Sequence, residues 1–256
     1  MSSVLYQSRD SIAEIIINRP DKHNVIDHSV VEGLHQAWHR FNDSSDKVAI
    51  LTASGERAFT AGANLKDIPH DFWRAVPGVG VTVDKPIIAA IGGVVVGGGL
   101  VLVQFADLAI AAENTVLSYP EAKVGYSGRL ISSLAARIPH KVAMELLLLG
   151  GSIDARRAYE VGLVNRVVPS GDQLTVARKF AADIAANAPL VLKMLKRFVG
   201  ATVPKGPSEA AAIARATVET VNSADDYREG IAAFFEKRAP VFTGTVLAPN
   251  GTRAVE

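Results

Sequence analysis

Two short stretches restrict this chain more than anything else in it. They are Arg57-Ala58-Phe59-Thr60-Ala61-Gly62-Ala63-Asn64-Leu65-Lys66 and, about thirty residues on, Pro86-Ile87-Ile88-Ala89-Ala90-Ile91-Gly92-Gly93-Val94-Val95-Val96-Gly97-Gly98-Gly99-Leu100. In each, an apolar run suited to a buried strand empties into residues with almost no side chain, so a ligand can reach the peptide backbone itself. The triple glycine runs into Leu100-Val101-Leu102-Val103-Gln104-Phe105-Ala106, apolar enough for a buried helix. Gly98 and Gly99 then present unpaired N–H donors at the positive end of that helix, which suits a carbonyl oxygen gaining negative charge.

Composition narrows the options further. The chain has 256 residues, 48% of them hydrophobic and 21% charged, which fits one sizeable globular core with room for a smaller helical appendage. A net charge of +1, from 27 Lys+Arg and 26 Asp+Glu, gives no basic excess for nucleic acid or a membrane surface. The absence of cysteine excludes disulfides, thiolate metal sites and cysteine nucleophiles, and is compatible with a reducing, cytoplasmic location. The first ten residues lack the basic and apolar regions of a signal peptide. The longest apolar stretch, Ile87 to Val103, is broken by five glycines and reads as interior, not as a membrane span.

Along the chain, residues 4–8 and 12–18 read as strands. Asp27 is placed to cap a helix whose apolar face is Val30, Val31, Leu34, Ala37, Trp38 and Phe41. Its other face carries His28, His35 and His39, the last two at metal-ligand spacing. With no acidic third ligand beside them, they are expected on the solvated side and no metal is expected. Residues 48–53 form a further strand. Residues 66–84 lack periodicity and read as a loop or short helix, with Phe72 and Trp73 as candidate pocket walls. Strands follow near 87–91, 108–112 and 116–118. Beyond Gly125 the pattern is almost wholly helical, with Asp154 and Ser223-Ala224-Asp225-Asp226 as caps and breaks at Gly162, Pro169 and Pro204–Pro207; the tail from Val246 reads as loose. Strand-strand-helix turns of this kind imply a layered α/β fold, divided here into residues 1–200 as the core and 201–256 as a C-terminal helical region.

The pair A-F-x-A-G-A-x-L-K and A-x-x-G-x-x-x-G-G-G resembles the signature of the crotonase (enoyl-CoA hydratase/isomerase) superfamily. Further matches run in order over most of the chain: Ile17-Asn18-Arg19-Pro20, Ala106-Asp107-Leu108-Ala109-Ile110-Ala111, Pro120-Glu121-Ala122-Lys123-Val124-Gly125, Gly162-Leu163-Val164-Asn165 and Phe235-Glu236-Lys237-Arg238-Ala239-Pro240. The resemblance implies a right-handed spiral of ββα turns whose C-terminal helices pack homotrimers, often as dimers of trimers. It implies an acyl-CoA substrate, coenzyme A entering only as part of that substrate and no separate cofactor. Ala63 and Gly98 become the two N–H donors of an oxyanion hole, each such donor typically worth about 3 to 4 kcal/mol of transition-state stabilisation. Lys22, Ala61, Ala63, Asn64, Leu65, Lys66 and Lys237 match positions near the nucleotide.

The departures from the family pattern are as informative as the matches. Family hydratases carry two glutamates; here the second is Glu121, while the first position holds Val101. Hydration divides base and acid work between two carboxylates, whereas moving a double bond needs one base that removes a proton and returns it elsewhere. Isomerisation is therefore preferred, with hydration or dehydration as the alternative. Where many hydratases read G-x-x-P-G-A-G-G, this chain has Gly125-Tyr126-Ser127-Gly128-Arg129-Leu130-Ile131, which rebuilds the acyl pocket. Tyr126 is a candidate proton donor, and Arg129 a candidate partner for an acyl carboxylate, as a decarboxylase or C–C hydrolase would need. A non-catalytic acyl-CoA binder would keep the glycine loops without the acid. No phosphate-binding or dinucleotide glycine fingerprint is present.

Overall fold

In the computed structural model, residues 2–126, 130–247 and 253–255 are described. The chain divides into two units, Met1–Glu209 and Ala210–Glu256.

The first unit opens with strands β1 (Val4–Arg9) and β2 (Ile12–Ile17), an antiparallel hairpin. Helix α1 (His28–Asp43) follows, with Asp27 at its N-cap accepting from the N–H groups of Ser29 and Val30. Its six expected apolar residues are all buried, Leu34, Trp38 and Phe41 completely, so Leu34→Ala would cost about 2 to 5 kcal/mol. Then come β3 (Val48–Ala53), β4 (Ala58–Thr60), a one-turn 3-10 helix at Phe72–Ala75, β5 (Ile87–Ile91), β6 (Val94–Val96), α2 (Gly98–Phe105), β7 (Leu108–Ala112) and β8 (Val116–Ser118). The rest of the unit holds α3 (Glu121–Val124), α4 (His140–Leu149), β9 (Ser152–Asp154), α5 (Ala155–Glu160), β10 (Arg166–Val168), α6 (Gln173–Ala185), α7 (Pro189–Thr202) and the start of α8 (Pro207–Ser223).

Two sheets result, and the chain alternates between them. The larger has the order β1-β2-β3-β5-β7-β10, parallel from β2 onward; the smaller has the order β4-β6-β8-β9, parallel across its first three strands. From β3 to β8 each coil adds one strand to each sheet before a helix or loop returns the chain, which is the ββα spiral. The large sheet is covered on both faces, as all-parallel sheets require. Val48, Ile50, Ile88, Ala90 and Ile110 pack against Ala177 and Ala181 of α6, while Ala49, Leu51, Ile87, Ala89 and Ile91 are buried on the opposite side.

In the second unit, α8 ends and α9 (Asp225–Glu236) begins, followed by β11 (Thr245–Leu247) and β12 (Arg253–Val255). Arg238 pairs with Glu229, which also accepts from the Val241 N–H (2.8 Å) and is held down to about 2 by the guanidinium. Two expectations are corrected in this region. The N-cap of α9 is Ala224 without a side-chain cap, because Ser223 closes the preceding helix by donating to the Thr220 carbonyl. The tail is not wholly loose, since the backbones of 245–247 and 253–255 pair antiparallel.

Candidate active site

The first three strands of the small sheet each end at one edge, and the next few residues of each contribute to the same cavity. Ala63 follows β4 by three residues, Gly98 follows β6 by two, and Glu121 follows β8 by three. This is the carboxyl edge of parallel strands, where α/β proteins place ligands. The cavity, about 110 Å³, is lined by Ala61, Gly62, Ala63, Gly97, Gly98 and Glu121, with Ile26, Leu65, Pro69, Phe72, Val96, Val101, Tyr119, Val124 and Tyr126 completing its largely apolar wall.

The backbone at both corners is shaped by its neighbours. Ile26 and the 61–64 corner pair as a short parallel bridge, Ile26 N–H donating to the Gly62 carbonyl and Asn64 N–H to the Ile26 carbonyl, each at 2.8 Å. That pattern turns the intervening Ala63 N–H away from the bridge, and no hydrogen bond among the described residues uses it. Gly98 is the first residue of α2, so its N–H has no partner within the helix, and none outside it among the described residues. Gly97, at φ +54, precedes it in a conformation that favours glycine. A Cβ there would lie 2.3 Å from Glu121 Oε1, so the missing side chain makes the space that the carboxyl occupies.

Glu121 opens the one-turn helix α3 behind Pro120. Its residue exposure is 8%, and Oε2 has no hydrogen-bond partner among the described residues. Burial pushes its carboxyl up to about 7, only partly offset by its own backbone N–H. No other carboxyl, and no basic side chain, lines the cavity among the described residues. Val101 is buried in its wall and brings no acid to it.

The remaining candidate residues separate. Phe72, Val101, Tyr126, Ala61 and Leu65 border the cavity, whereas Trp73, half-buried on the same 3-10 turn, does not. Asn64 turns its Oδ1 to the Lys66 N–H, and Lys66 is exposed beside a shallow depression shared with His28 and Asp71. Lys22 is exposed in the turn Pro20–Lys22. Lys237 is exposed at the C-cap of α9 in the second unit. Arg129 lies outside the described residues. Ile26, Tyr119 and Val96 were not among the expected wall residues, because the hydrophobic pattern marks them only as buried or half-buried. Among the described residues, no group of three His, Cys, Asp or Glu is placed to hold a metal ion, and no helix is long and apolar enough to cross a membrane.

Residues 7–245 match the sequence model of the family described as "Enoyl-CoA hydratase/isomerase". The chain belongs to the enoyl-CoA hydratase/isomerase family, the crotonase superfamily. Among curated relatives it is 36% identical to a carnitinyl-CoA dehydratase of Proteus mirabilis, over 93% of this chain and 97% of the relative. It is 33% identical to a probable enoyl-CoA hydratase of Mycobacterium tuberculosis, over 94% and 98% respectively. Among solved structures it is similar to a carnitinyl-CoA hydratase from Mycobacterium avium (TM-score 0.75, 31% identity, 95% of this chain and 99% of that one). It is also similar to an enoyl-CoA hydratase from Mycobacterium tuberculosis (TM-score 0.73, 35% identity, 96% and 100%). The expected fold is thus that of this enzyme family.

Proposed function

We propose that this crotonase-family enzyme moves a proton on an enoyl-CoA thioester through a single carboxyl, Glu121, with double-bond isomerisation as its reaction. The observation that carries the reading is a buried carboxyl seated on Gly97, its Oε2 without a hydrogen-bond partner among the described residues, sharing an apolar cavity with the unused N–H groups of Ala63 and Gly98. A thioester oxygen between those two amides would draw negative charge, which acidifies the α-carbon because the enolate places its charge on that oxygen. Ionised Glu121 then takes the proton from C2 of a 3-enoyl chain and returns it to C4 as the double bond moves to C2–C3, leaving the carboxylate as it began. A group titrating near 7 suits both halves of that exchange. Coenzyme A enters only as part of the substrate, with Lys22, Asn64, Lys66 and Lys237 proposed on its nucleotide side. The C-terminal helices are proposed to pack homotrimers or dimers of trimers, in the cytoplasm.

The names of the relatives favour a second reading, reversible dehydration. Glu121 would take the C2 proton and then, as the acid, deliver it to the hydroxyl leaving C3, one carboxyl serving twice in sequence. Mass spectrometry of 2-enoyl, 3-enoyl and 3-hydroxyacyl thioesters incubated with the enzyme in heavy water separates the two. Deuterium in the acyl chain with the double bond moved and no water gained or lost supports isomerisation; addition or loss of water overturns it in favour of the second reading.

A further inference from the structure

One stripe of α1 holds the segment that walls the cavity. At heptad spacing, His28 lies 3.5 and 3.6 Å from Asp67 and Asp71, Glu32 pairs with Arg74 (3.4 Å), His35 Nδ1 lies 3.2 Å from the Arg74 carbonyl, and Asn42 donates to the Thr82 carbonyl (2.7 Å). Beside the stripe, buried Trp38 donates to the Ala75 carbonyl (2.8 Å). The strap then folds back on itself so closely that a Cβ on Gly80 would fall 2.4 Å from Arg74 Cα. Phe72, on the fastened turn, comes within 3.2 Å of where a Cβ on Gly98 would stand.

Of the three histidines expected on the solvated side, His28 is exposed, and the expectation is corrected for the other two. His35 and His39 are half-buried under the turn, rings edge to face with centroids 4.7 Å apart. Facing the pair are Glu32 and Asp43 from α1 and, from the turn, Arg74 with its partner Asp71. Burial, the neighbouring His35 and the Arg74 cation hold His39 below the ordinary histidine range, against the pull of Asp43 and Glu32. The helical period alone put these rings in water, because it takes no account of a strap arriving from forty residues away.

We propose that His35 and His39 form an acid-sensitive fastener: His35 is a positioning residue that fixes Phe72 through the Arg74 carbonyl, and a second proton on the pair releases the turn and opens the cavity wall. The two ring centroids lie only 4.7 Å apart, and the Arg74 guanidinium faces the pair. Two imidazolium rings side by side next to Arg74 would repel each other and the turn.

Nature supplies the probe, since the only two tryptophans of the chain, Trp38 and Trp73, both sit at this junction. Tryptophan emission of the full-length protein is titrated from pH 7.5 to 5, together with His35→Gln/His39→Gln, whose amides retain a donor and cannot charge. A single transition at or below about pH 6.5 is expected in the parent and none in the double variant. A flat parent curve, or the same transition in both, overturns the proposal. Arg74→Gln gives an independent check: losing that cation should move the midpoint to higher pH, and an unmoved midpoint also overturns it. With enoyl-CoA, KM of the parent should rise about threefold on acidification while that of the double variant stays level, and kcat falls alike in both. This last arm rests on the thioester reading; the fluorescence arms need no substrate, so the two can fail separately.

Discussion

Two buried carboxyl groups in the first unit have opposite fates. Asp46, 3% exposed, accepts from Tyr6 Oη and Ser8 Oγ, each at 2.7 Å, and its own N–H donates to Ser44 Oγ. Both of its oxygens are engaged, and it ties the end of α1 to the first strand. Glu121, 8% exposed, has one oxygen against the Gly97 backbone and the other with no partner among the described residues. A buried acid with its acceptors filled is a structural part; one with an oxygen left without a donor is costly to the fold and remains available to something that arrives later.

Substitutions test that contrast. The largest effect is expected from Glu121→Gln, which should lower kcat by about 10²- to 10⁴-fold while calorimetry shows acyl-CoA binding nearly unchanged. Full turnover in that variant would place Glu121 with Asp46 among the structural acids. Gly97→Ala comes next: the added methyl displaces the carboxyl and strains a φ of +54, so kcat should fall about ten- to a hundredfold with a modest loss of stability.

Stability measurements should then run the other way for the two acids. The folded state holds Glu121 near 7 against an ordinary 4.5, so it favours the neutral form, and the parent loses stability as pH rises from about 4.5 to about 7. Glutamine never charges, so urea unfolding should find Glu121→Gln more stable by up to about 3 kcal/mol at pH 8 and within about 0.5 kcal/mol of the parent at pH 4.5. Asp46→Ala should instead cost about 1 to 3 kcal/mol, because it removes the charged acceptor of two hydrogen bonds, from Tyr6 Oη and Ser8 Oγ, with kcat per folded molecule unchanged. A destabilised Glu121→Gln or a neutral Asp46→Ala at pH 8 would erase the distinction.

Most of the cavity lining was legible because it is built from backbone, and exposed backbone needs glycine and alanine in fixed order. Gly62-Ala63, Gly97-Gly98 and Pro120-Glu121 can be found by eye, and so can the α1 face from Val30 to Phe41. What stayed hidden depends on partners far along the chain. Val94–Val96 is too short and too enclosed by glycine to show a strand period, and becomes one only between β4 and β8. Asp46 reads as an ordinary loop acid until the hairpin brings Tyr6 and Ser8 to it. The same holds for the strap on α1, half of whose anchors are carbonyl oxygens that no side-chain pattern records.

Because the two amides and the carboxyl trail three adjoining strands, the width of the proposed reaction centre is a ruler graduated in peptide hydrogen bonds, about 4.8 Å to the division. Side-chain replacement can rewrite what happens at each mark. It cannot stretch the scale, so any new substrate accepted by a descendant of this protein must bring its reacting atoms to the old gauge.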